Sequence, residues 1–248
     1  MKASEIIAVM EKHFPLSLQE KWDKCGLQIG DVNQEVHKIM IALNADNDVL
    51  NEAIAQNCDM LITHHPFLLD KIDNIDKEHF MGQFIFNAIQ NNVVVYSSHT
   101  ALDKAKMNDW LIEQLGVHDV YEGDASGISR LATLNETMSQ KEFIHHVKKV
   151  YHLDHFKYAG NVENVSKVAL CGGSAADFLE EFYGVADAYI TGDTKYRHAK
   201  NAHDHHILLI DVNHHVENIM VSKLKKLLEK EVNVEIVEGH FEDYYHYI

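Results

Sequence analysis

The sequence is poor in cysteine and proline, and each shortage excludes a class of protein. Its 248 residues include 3 cysteines, 2 prolines and 12 glycines. Three cysteines without a C-x-x-C pair favour neither a disulfide framework nor a cysteine zinc site, and they fit a reducing compartment. Hydrophobic residues make up 46% and charged residues 24% of the chain. This composition is typical of a globular protein and argues against intrinsic disorder and long flexible linkers.

Basic residues and long apolar runs are scarce as well. Lys and Arg number 22 against 38 Asp and Glu, which gives a formal charge of −16. Such a field repels a phosphate backbone, so binding of nucleic acid over the whole surface is disfavoured. No apolar run approaches the roughly 18 residues of a membrane span. Residues 1–14 carry acids within an apolar periodicity, which predicts an amphipathic helix rather than a signal peptide. We therefore expect a soluble, cytoplasmic protein with no membrane partner.

Apolar segments alternate with helical periodicity along the chain. Strands that are apolar on both faces and separated by helices predict βαβ units, in which helices cover mostly parallel sheets. The fold class is therefore α/β. The predicted strands are 39–45, 59–63, 93–98, 128–134, 167–173, 187–191, 206–212 and 232–238, and the predicted helices are 3–14, 47–57, 78–91, 104–115, 139–151, 175–184, 194–204 and 215–230.

The pattern Asp-x-x-Ile-Thr occurs twice, at residues 59–63 and 187–191. In both halves a helix, an apolar strand and a histidine follow it. We interpret this as an internal duplication, the alternative being chance similarity between two ordinary βαβ units. It predicts two lobes, 1–123 and 124–248, with the C-terminal segment either in the second lobe or packed back on the first.

Histidine is abundant, with 19 residues, and its placement is informative. Three apolar strands are followed by histidine, at His64-His65, at His99 and at His214-His215. Ligands of α/β sheets bind beyond the carboxyl ends of parallel strands, and parallel strands would bring all three of these ends to one edge of the sheet. In an extended backbone, which Pro66 favours, neighbouring side chains point to opposite sides. The adjacent pair therefore suits two nearby ions better than one, although a polar loop after a strand is the simpler alternative.

Carboxylates accompany these histidines. Asp103 lies four residues after His99, and Glu217 lies three after His214, so that both can face one way at the start of a helix. Asp103 could instead cap a helix, and Glu217 could be a solvated acid at a helix start. His214 and His215 are both possible ligands, and the spacing to Glu217 favours His214. Nitrogen and oxygen ligands together suit Zn, Mn, Fe or Ni, and Glu217 could bridge two ions. We interpret His99 as a residue that orients a ligand.

The segment CGGS at residues 171–174 lies between a predicted strand and a predicted helix. It could place a phosphate on helix N–H groups, or it could be a tight turn. The sequence favours the turn, because the segment lacks the lysine of a P-loop and does not match G-x-G-x-x-G.

These motifs together resemble the GTP cyclohydrolase 1 type 2 homologues, a family of Nif3-like dinuclear metal-binding proteins. The departures are Lys24, Asn213 and Arg197, where the family often has Asn, Gly and His. The matching stretches are WDKCGLQIGD (22–31), ITHHP (62–66), SHTALD (98–103) followed by Asn108-Asp109, CGGS (171–174), ITGDTKY (190–196) and NHHVE (213–217).

The resemblance implies a two-lobed subunit with two divalent metal ions between the lobes, assembled as a ring-shaped homohexamer with its sites facing an internal cavity. It implies that His64 and Asp103 hold one ion, that His65 and His214 hold the other, and that Glu217 bridges both. We expect a metal-dependent hydrolase acting on an unidentified small molecule, namely a nucleotide, a phosphoester or a cyclic amide, with Glu217 and His99 as catalytic residues. The alternative is a non-catalytic metal-binding protein with a regulatory or scaffold role.

Overall fold

The computed structural model describes residues 1–246, in which helices and strands alternate as the apolar periodicity predicts. None of the helices in this range has the length and apolar character that crossing a bilayer requires. The α-helices are α1 (Ala3–His13), α2 (Asn47–Ala55), α3 (Phe80–Gln90), α4 (Thr100–Leu102), α5 (Asn108–Glu113), α6 (Gln140–Val150), α7 (Tyr196–Asp204) and α8 (Ile219–Leu228). The strands are β1 (Gly26–Ile29), β2 (Lys38–Ala42), β3 (Met60–Thr63), β4 (Val94–Ser97), β5 (Val117–Glu122), β6 (Arg130–Ser139), β7 (Lys157–Ala159), β8 (Asn164–Leu170), β9 (Ala188–Thr191), β10 (Leu208–Asp211) and β11 (Glu235–Glu238).

The chain forms two compact units. The first comprises Met1–Ala105 and Asn218–Asp243, and the second comprises Lys106–Glu217 with the described residues 244–246. The segment after Glu217 returns to the first unit because β11 pairs in parallel with β2. The lobes at 1–123 and 124–248 stay a prediction.

The first unit is built on a five-stranded sheet in the order β1-β4-β3-β2-β11. All its neighbours are parallel except β1, which runs antiparallel to β4. The amphipathic face predicted for α1 is confirmed, since Ile6, Met10 and Phe14 are fully buried. Helix α2 begins after Asp46, whose side chain accepts a hydrogen bond from the Val49 N–H and so caps the helix. This packing fixes the carboxyl ends of three parallel strands, β2, β3 and β4, along one sheet edge.

The second unit is built on a six-stranded sheet in the order β5-β6-β8-β9-β10-β7. Its three central strands, β8, β9 and β10, are parallel, and the remaining pairs are antiparallel. The α-helix predicted over 175–184 is wrong, because Ala176–Phe182 forms a 3₁₀ helix. Its buried residues are Ala176, Leu179 and Phe182, a spacing of three that matches the three residues per turn of a 3₁₀ helix.

The two sheets support the predicted duplication. Each contains a run of parallel strands, four in the first sheet and three in the second, that is flanked by an antiparallel strand, β1 beside β4 and β7 beside β10. The repeated Asp-x-x-Ile-Thr motif has the same local role twice. The carboxylate of Asp59 accepts two backbone N–H groups where β2 begins, at 2.7 and 3.1 Å. The carboxylate of Asp187 accepts two backbone N–H groups of β8, both at 2.8 Å.

Candidate metal centre

His64 and His65 directly follow β3, and the chain bends there instead of remaining extended. The backbone N–H groups of both residues donate to the carbonyl oxygen of Leu43, at 3.2 and 3.0 Å. The centroids of the two rings are only 4.9 Å apart. The expectation that Pro66 keeps the pair extended, with the rings on opposite sides, is therefore wrong. One carbonyl that accepts from two successive N–H groups imposes a bend, which brings the rings together.

The hydrogen bonds of these two rings define their tautomers. Nδ1 of His64 lies 3.0 Å from the carbonyl oxygen of Ser98. Nδ1 of His65 lies 2.7 Å from Oδ1 of Asn44. Both partners are acceptors, so each Nδ1 carries the hydrogen and donates it. Each Nε2 then keeps its lone pair, which is the form in which a histidine binds a metal ion.

Asp103 lies next to His64. Its Oδ1 is 3.4 Å from Nε2 of His64, and both side chains are buried. Asp103 is the first residue of a π-helix, Asp103–Met107, an irregularity that is frequent at functional sites. A carboxylate oxygen and an imidazole lone pair both offer electrons, so in a buried setting they require a cation, either a proton or a metal ion. The donor set therefore fits a divalent ion.

His99 completes a group that we name the histidine cluster, defined as His64, His65 and His99. One ring nitrogen of each of the three residues lies within 4.8 Å of those of the other two. The ring of His99 is 5.0 Å from that of His64 and 5.7 Å from that of His65. The prediction of one shared sheet edge is confirmed for His64, His65 and His99, which follow the adjacent strands β3 and β4. It is wrong for His214 and His215, because they follow β10, a strand of the other sheet. Three converging imidazoles suit Zn, Fe or Ni.

Asp23 is a site residue that the sequence analysis missed. Its carboxylate accepts hydrogen bonds from Nδ1 of His99 at 2.9 Å, from the Thr100 N–H at 2.9 Å and from the Cys25 thiol at 3.1 Å. Burial by itself would raise the pKa of Asp23, but the hydrogen bonds from His99 and Thr100 hold it well below its usual range. Asp23 is thus ionised near neutral pH and fixes the ring of His99. The available signal was its position within the motif WDKC.

The second unit carries the other predicted ligands. His214 and Glu217 lie in a 3₁₀ helix, His214–Asn218, with Nε2 of His214 3.2 Å from Oε2 of Glu217. Nδ1 of His214 lies 2.6 Å from Oδ2 of Asp193. Burial lowers the pKa of His214, but its contacts with the two carboxylates raise it to about 10. The hydrogen bond to Asp193 orients the ring of His214, as the hydrogen bond to Asp23 orients that of His99. The three-residue spacing to Glu217 does bring the two side chains together.

The glycines of CGGS make room for Glu217, which is only 3% exposed. A Cβ atom built on Gly173 would lie 2.7 Å from Oε1 of Glu217, and one on Gly172 would lie 3.1 Å from the same oxygen. A carboxylate thus occupies the place where a phosphate cradle would need positive charge. The following helix is a short 3₁₀ helix rather than an α-helix. These two features favour the tight turn over the phosphate cradle.

Substitution of Gly173 by alanine is expected to destabilise the protein and to weaken metal binding. Gly173 has φ +62°, which costs an L-residue about 1–2 kcal/mol, and the new methyl group would also displace the Glu217 carboxylate. Gly184→Ala is the matched control, because Gly184 has φ +71° but nothing within 4 Å of an added Cβ. Thermal unfolding and metal analysis should show a larger loss for Gly173→Ala. Equal losses would contradict the contact with Glu217.

The chain has relatives among known proteins. Residues 1–243 match the family model Duf34/NIF3 (NGG1p interacting factor 3). The chain belongs to the DUF34/NIF3 family. A Clostridium acetobutylicum relative described as a GTP cyclohydrolase 1 type 2 homolog is 35% identical over 226 residues, covering 86% of this chain and 84% of the relative. A Clostridium perfringens protein of the same description is 32% identical over 263 residues and is covered completely, as is this chain.

Solved structures share the fold of this chain. A Bacillus cereus protein related to NIF3 superposes with a TM-score of 0.92 at 23% identity, covering 100% of this chain and 99% of that one. Reduced HcgD from Methanocaldococcus jannaschii superposes with a TM-score of 0.88 at 28% identity, covering 97% of this chain and 98% of that one. The predicted α/β class and the resemblance to Nif3-like proteins are therefore confirmed.

Proposed function

We propose that the chain binds divalent metal ions and uses them to hydrolyse a small molecule. The observation that carries this proposal is the shared anchoring of the histidine cluster. Each of its three rings is fixed through Nδ1. The partner is the carbonyl of Ser98 for His64, the side chain of Asn44 for His65 and the carboxylate of Asp23 for His99. An anchored Nδ1–H and a lone pair on Nε2 are the arrangement by which proteins orient metal-binding histidines.

The ligand assignment follows the family resemblance. We assign His64 and Asp103 to one ion and His65 and His214 to the other, with Glu217 as a ligand of both. Within the first unit, the proximity of His64 and Asp103 supports the first pair. Within the second, the contact of His214 with Glu217 and its anchoring by Asp193 favour His214 over His215.

Divalent ions at such a site would supply Lewis-acid polarisation of a substrate oxygen and would activate water at neutral pH. The chain itself supplies proton handling and positioning. Asp23 keeps the hydrogen of His99 on Nδ1, so Nε2 can accept a proton as a general base. The glycines beside Glu217 leave room for its carboxylate, and the contact of Oε2 with Nε2 of His214 at 3.2 Å orients it. We propose His99 and Glu217 as the catalytic residues on these grounds.

The substrate classes that fit are nucleotides, phosphoesters and cyclic amides, because each presents an oxygen that a cation can polarise. The description of the Clostridium relatives names a GTP cyclohydrolase homolog. A net charge of −16 gives no general attraction for an anionic substrate, so recognition would depend on the local charge of the site. The homohexamer and the cytoplasmic location expected from the sequence stay predictions.

A structural or regulatory role for the metal is the second candidate. It is favoured by burial, since His64 is fully buried and Asp103 and Glu217 are 8% and 3% exposed. Structural metal sites are closed by protein ligands, whereas catalytic sites keep an open position. His65, His99 and His214 are only partly buried, which favours access by a substrate.

The test is to strip the purified protein with a chelator, reload it with Zn, Mn, Fe or Ni, and screen phosphoesters, nucleotides including GTP, and cyclic amides. We expect about two metal equivalents per chain and turnover of at least one substrate class. We also expect higher thermal stability of the loaded protein, because a ligand at 100 times its Kd adds about 2.7 kcal/mol to the free energy of unfolding. Failure to bind metal would contradict the whole proposal. Metal binding and stabilisation without turnover would favour the regulatory role.

A further inference from the structure

Trp22 is a large aromatic side chain that stays 58% exposed although it lies beside the histidine cluster. Its ring centroid is 5.7 Å from that of His99, and the two ring planes meet at 75°. In this edge-to-face arrangement, His99 can contact at most one face of the indole. At least one indole face is therefore left for another planar group, next to a residue of the proposed catalytic machinery.

The segment that carries Trp22 is held in place on both sides. The Asp23 N–H donates to the Glu20 carbonyl at 3.0 Å, which closes a turn around Trp22. The Glu20 N–H donates to Oγ1 of Thr100 at 2.8 Å, and the Glu20 carboxylate pairs with Lys104 at 2.5 Å. Asp23 is in turn bound to His99. The backbone around Trp22 is thus held in a turn that also carries Asp23, the residue that orients His99, and the indole ring lies against the ring of His99.

We propose that Trp22 is a stacking platform for a planar heteroaromatic ring in the substrate. The proposal rests on the function proposed above, and it narrows the substrate class from any polarisable oxygen to compounds that carry such a ring. A ring lying on the indole would have its edge near His99, where the proton transfer is proposed. An aliphatic substrate would gain only burial of apolar area from this face, whereas a heteroaromatic ring also gains the favourable electrostatics of stacking.

Stacking of a base on an aromatic side chain is worth about 1–3 kcal/mol, which corresponds to roughly 5- to 150-fold in affinity. Trp22→Leu removes the aromatic face, and Trp22→Phe keeps a smaller one. Tyr121→Leu is the matched control, because Tyr121 is an equally exposed aromatic residue, at 60%, on a strand of the second unit. Metal content is measured on every sample, so that an effect on stacking can be separated from an effect on metal binding.

The experiment is calorimetric titration of the metal-loaded protein with purine 5′-mononucleotides and with ribose 5-phosphate, which has the same phosphate and sugar but no heteroaromatic base. We expect the wild type to prefer the mononucleotides. Trp22→Leu should weaken their binding at least fivefold and leave ribose 5-phosphate and the metal content unchanged. Trp22→Phe should retain most of the preference, and Tyr121→Leu all of it.

Two kinds of result would overturn the stacking platform without touching the metal proposal. One is a metal-loaded wild-type protein that shows no preference for the purine mononucleotides over ribose 5-phosphate, or that binds neither of them. The other is a Trp22→Leu variant that binds mononucleotides as the wild type does, or that loses both probes equally. A wild type that takes up no metal would instead contradict the proposed function itself.

Discussion

Replacement of His64 by alanine is expected to remove at least one of two metal equivalents and to lower hydrolytic turnover by more than about 100-fold. Mutation of a residue that only orients a metal ligand already lowers metal affinity or activity by about 10- to 100-fold, so loss of a ligand should lower it further. His64 is fully buried, and its Nε2 lies 3.4 Å from Asp103. Without the imidazole, the buried carboxylate loses the neighbour with which it would share a cation. Metal analysis by mass spectrometry and turnover of the best substrate measure the two effects.

Two further variants keep this prediction testable if the cavity left by His64→Ala prevents folding. Asp103→Asn changes no volume but removes the charge, so it should lose the same ion. His203→Ala removes a histidine whose side chain is 77% exposed on the second unit, and it should bind metal as the wild type does. Full metal content in both His64→Ala and Asp103→Asn would show that neither residue is a ligand.

Replacement of Glu217 by glutamine is expected to leave the fold intact and to remove one metal ion. The amide is nearly isosteric with the carboxylate, so the packing against Gly172 and Gly173 is preserved. It lacks the negative charge that two cations would share, and its NH₂ group cannot be a ligand. Turnover should fall by more than about 100-fold, because mutation of a residue that only orients a metal ligand already lowers activity by about 10- to 100-fold.

Glu180→Gln is the matched control for Glu217→Gln. Glu180 is an exposed acid in the 3₁₀ helix of the same unit, so its neutralisation changes the net charge equally without touching the buried carboxylate. Circular dichroism would verify that both variants are folded. An unchanged metal stoichiometry in Glu217→Gln would rule out its role as a shared ligand.

The positions of the histidines relative to the strands were predictable, because a general rule of parallel sheets governs them. Parallel strands present their carboxyl ends on one edge, so the histidines after β3 and β4 meet in the histidine cluster. The geometry within the pair was not predictable from Pro66. It depends on the Leu43 carbonyl, which accepts from both His64 and His65, and that carbonyl is placed by the neighbouring strand.

The residues that orient the histidines could not be predicted from the sequence, for a related reason. Asn44 follows β2 and anchors His65 after β3, and Asp193 follows β9 and anchors His214 after β10. In both units the partner stands at the end of the adjacent parallel strand, 21 residues earlier. Only the strand order makes these pairs neighbours. Asp23 lies 76 residues from His99 and is brought to it by the antiparallel pairing of β1 with β4.

The sequence by itself determined the α/β class, the repeated Asp-x-x-Ile-Thr units and the choice of imidazole and carboxylate side chains at strand ends. These features depend on local periodicity and on the general behaviour of parallel sheets. The tertiary structure alone decided which nitrogen each ring offers, the bend at His64 and the space that Gly172 and Gly173 leave for Glu217. Each of these depends on hydrogen bonds or contacts between segments distant along the chain, and a pattern read along the chain contains no information on such distances.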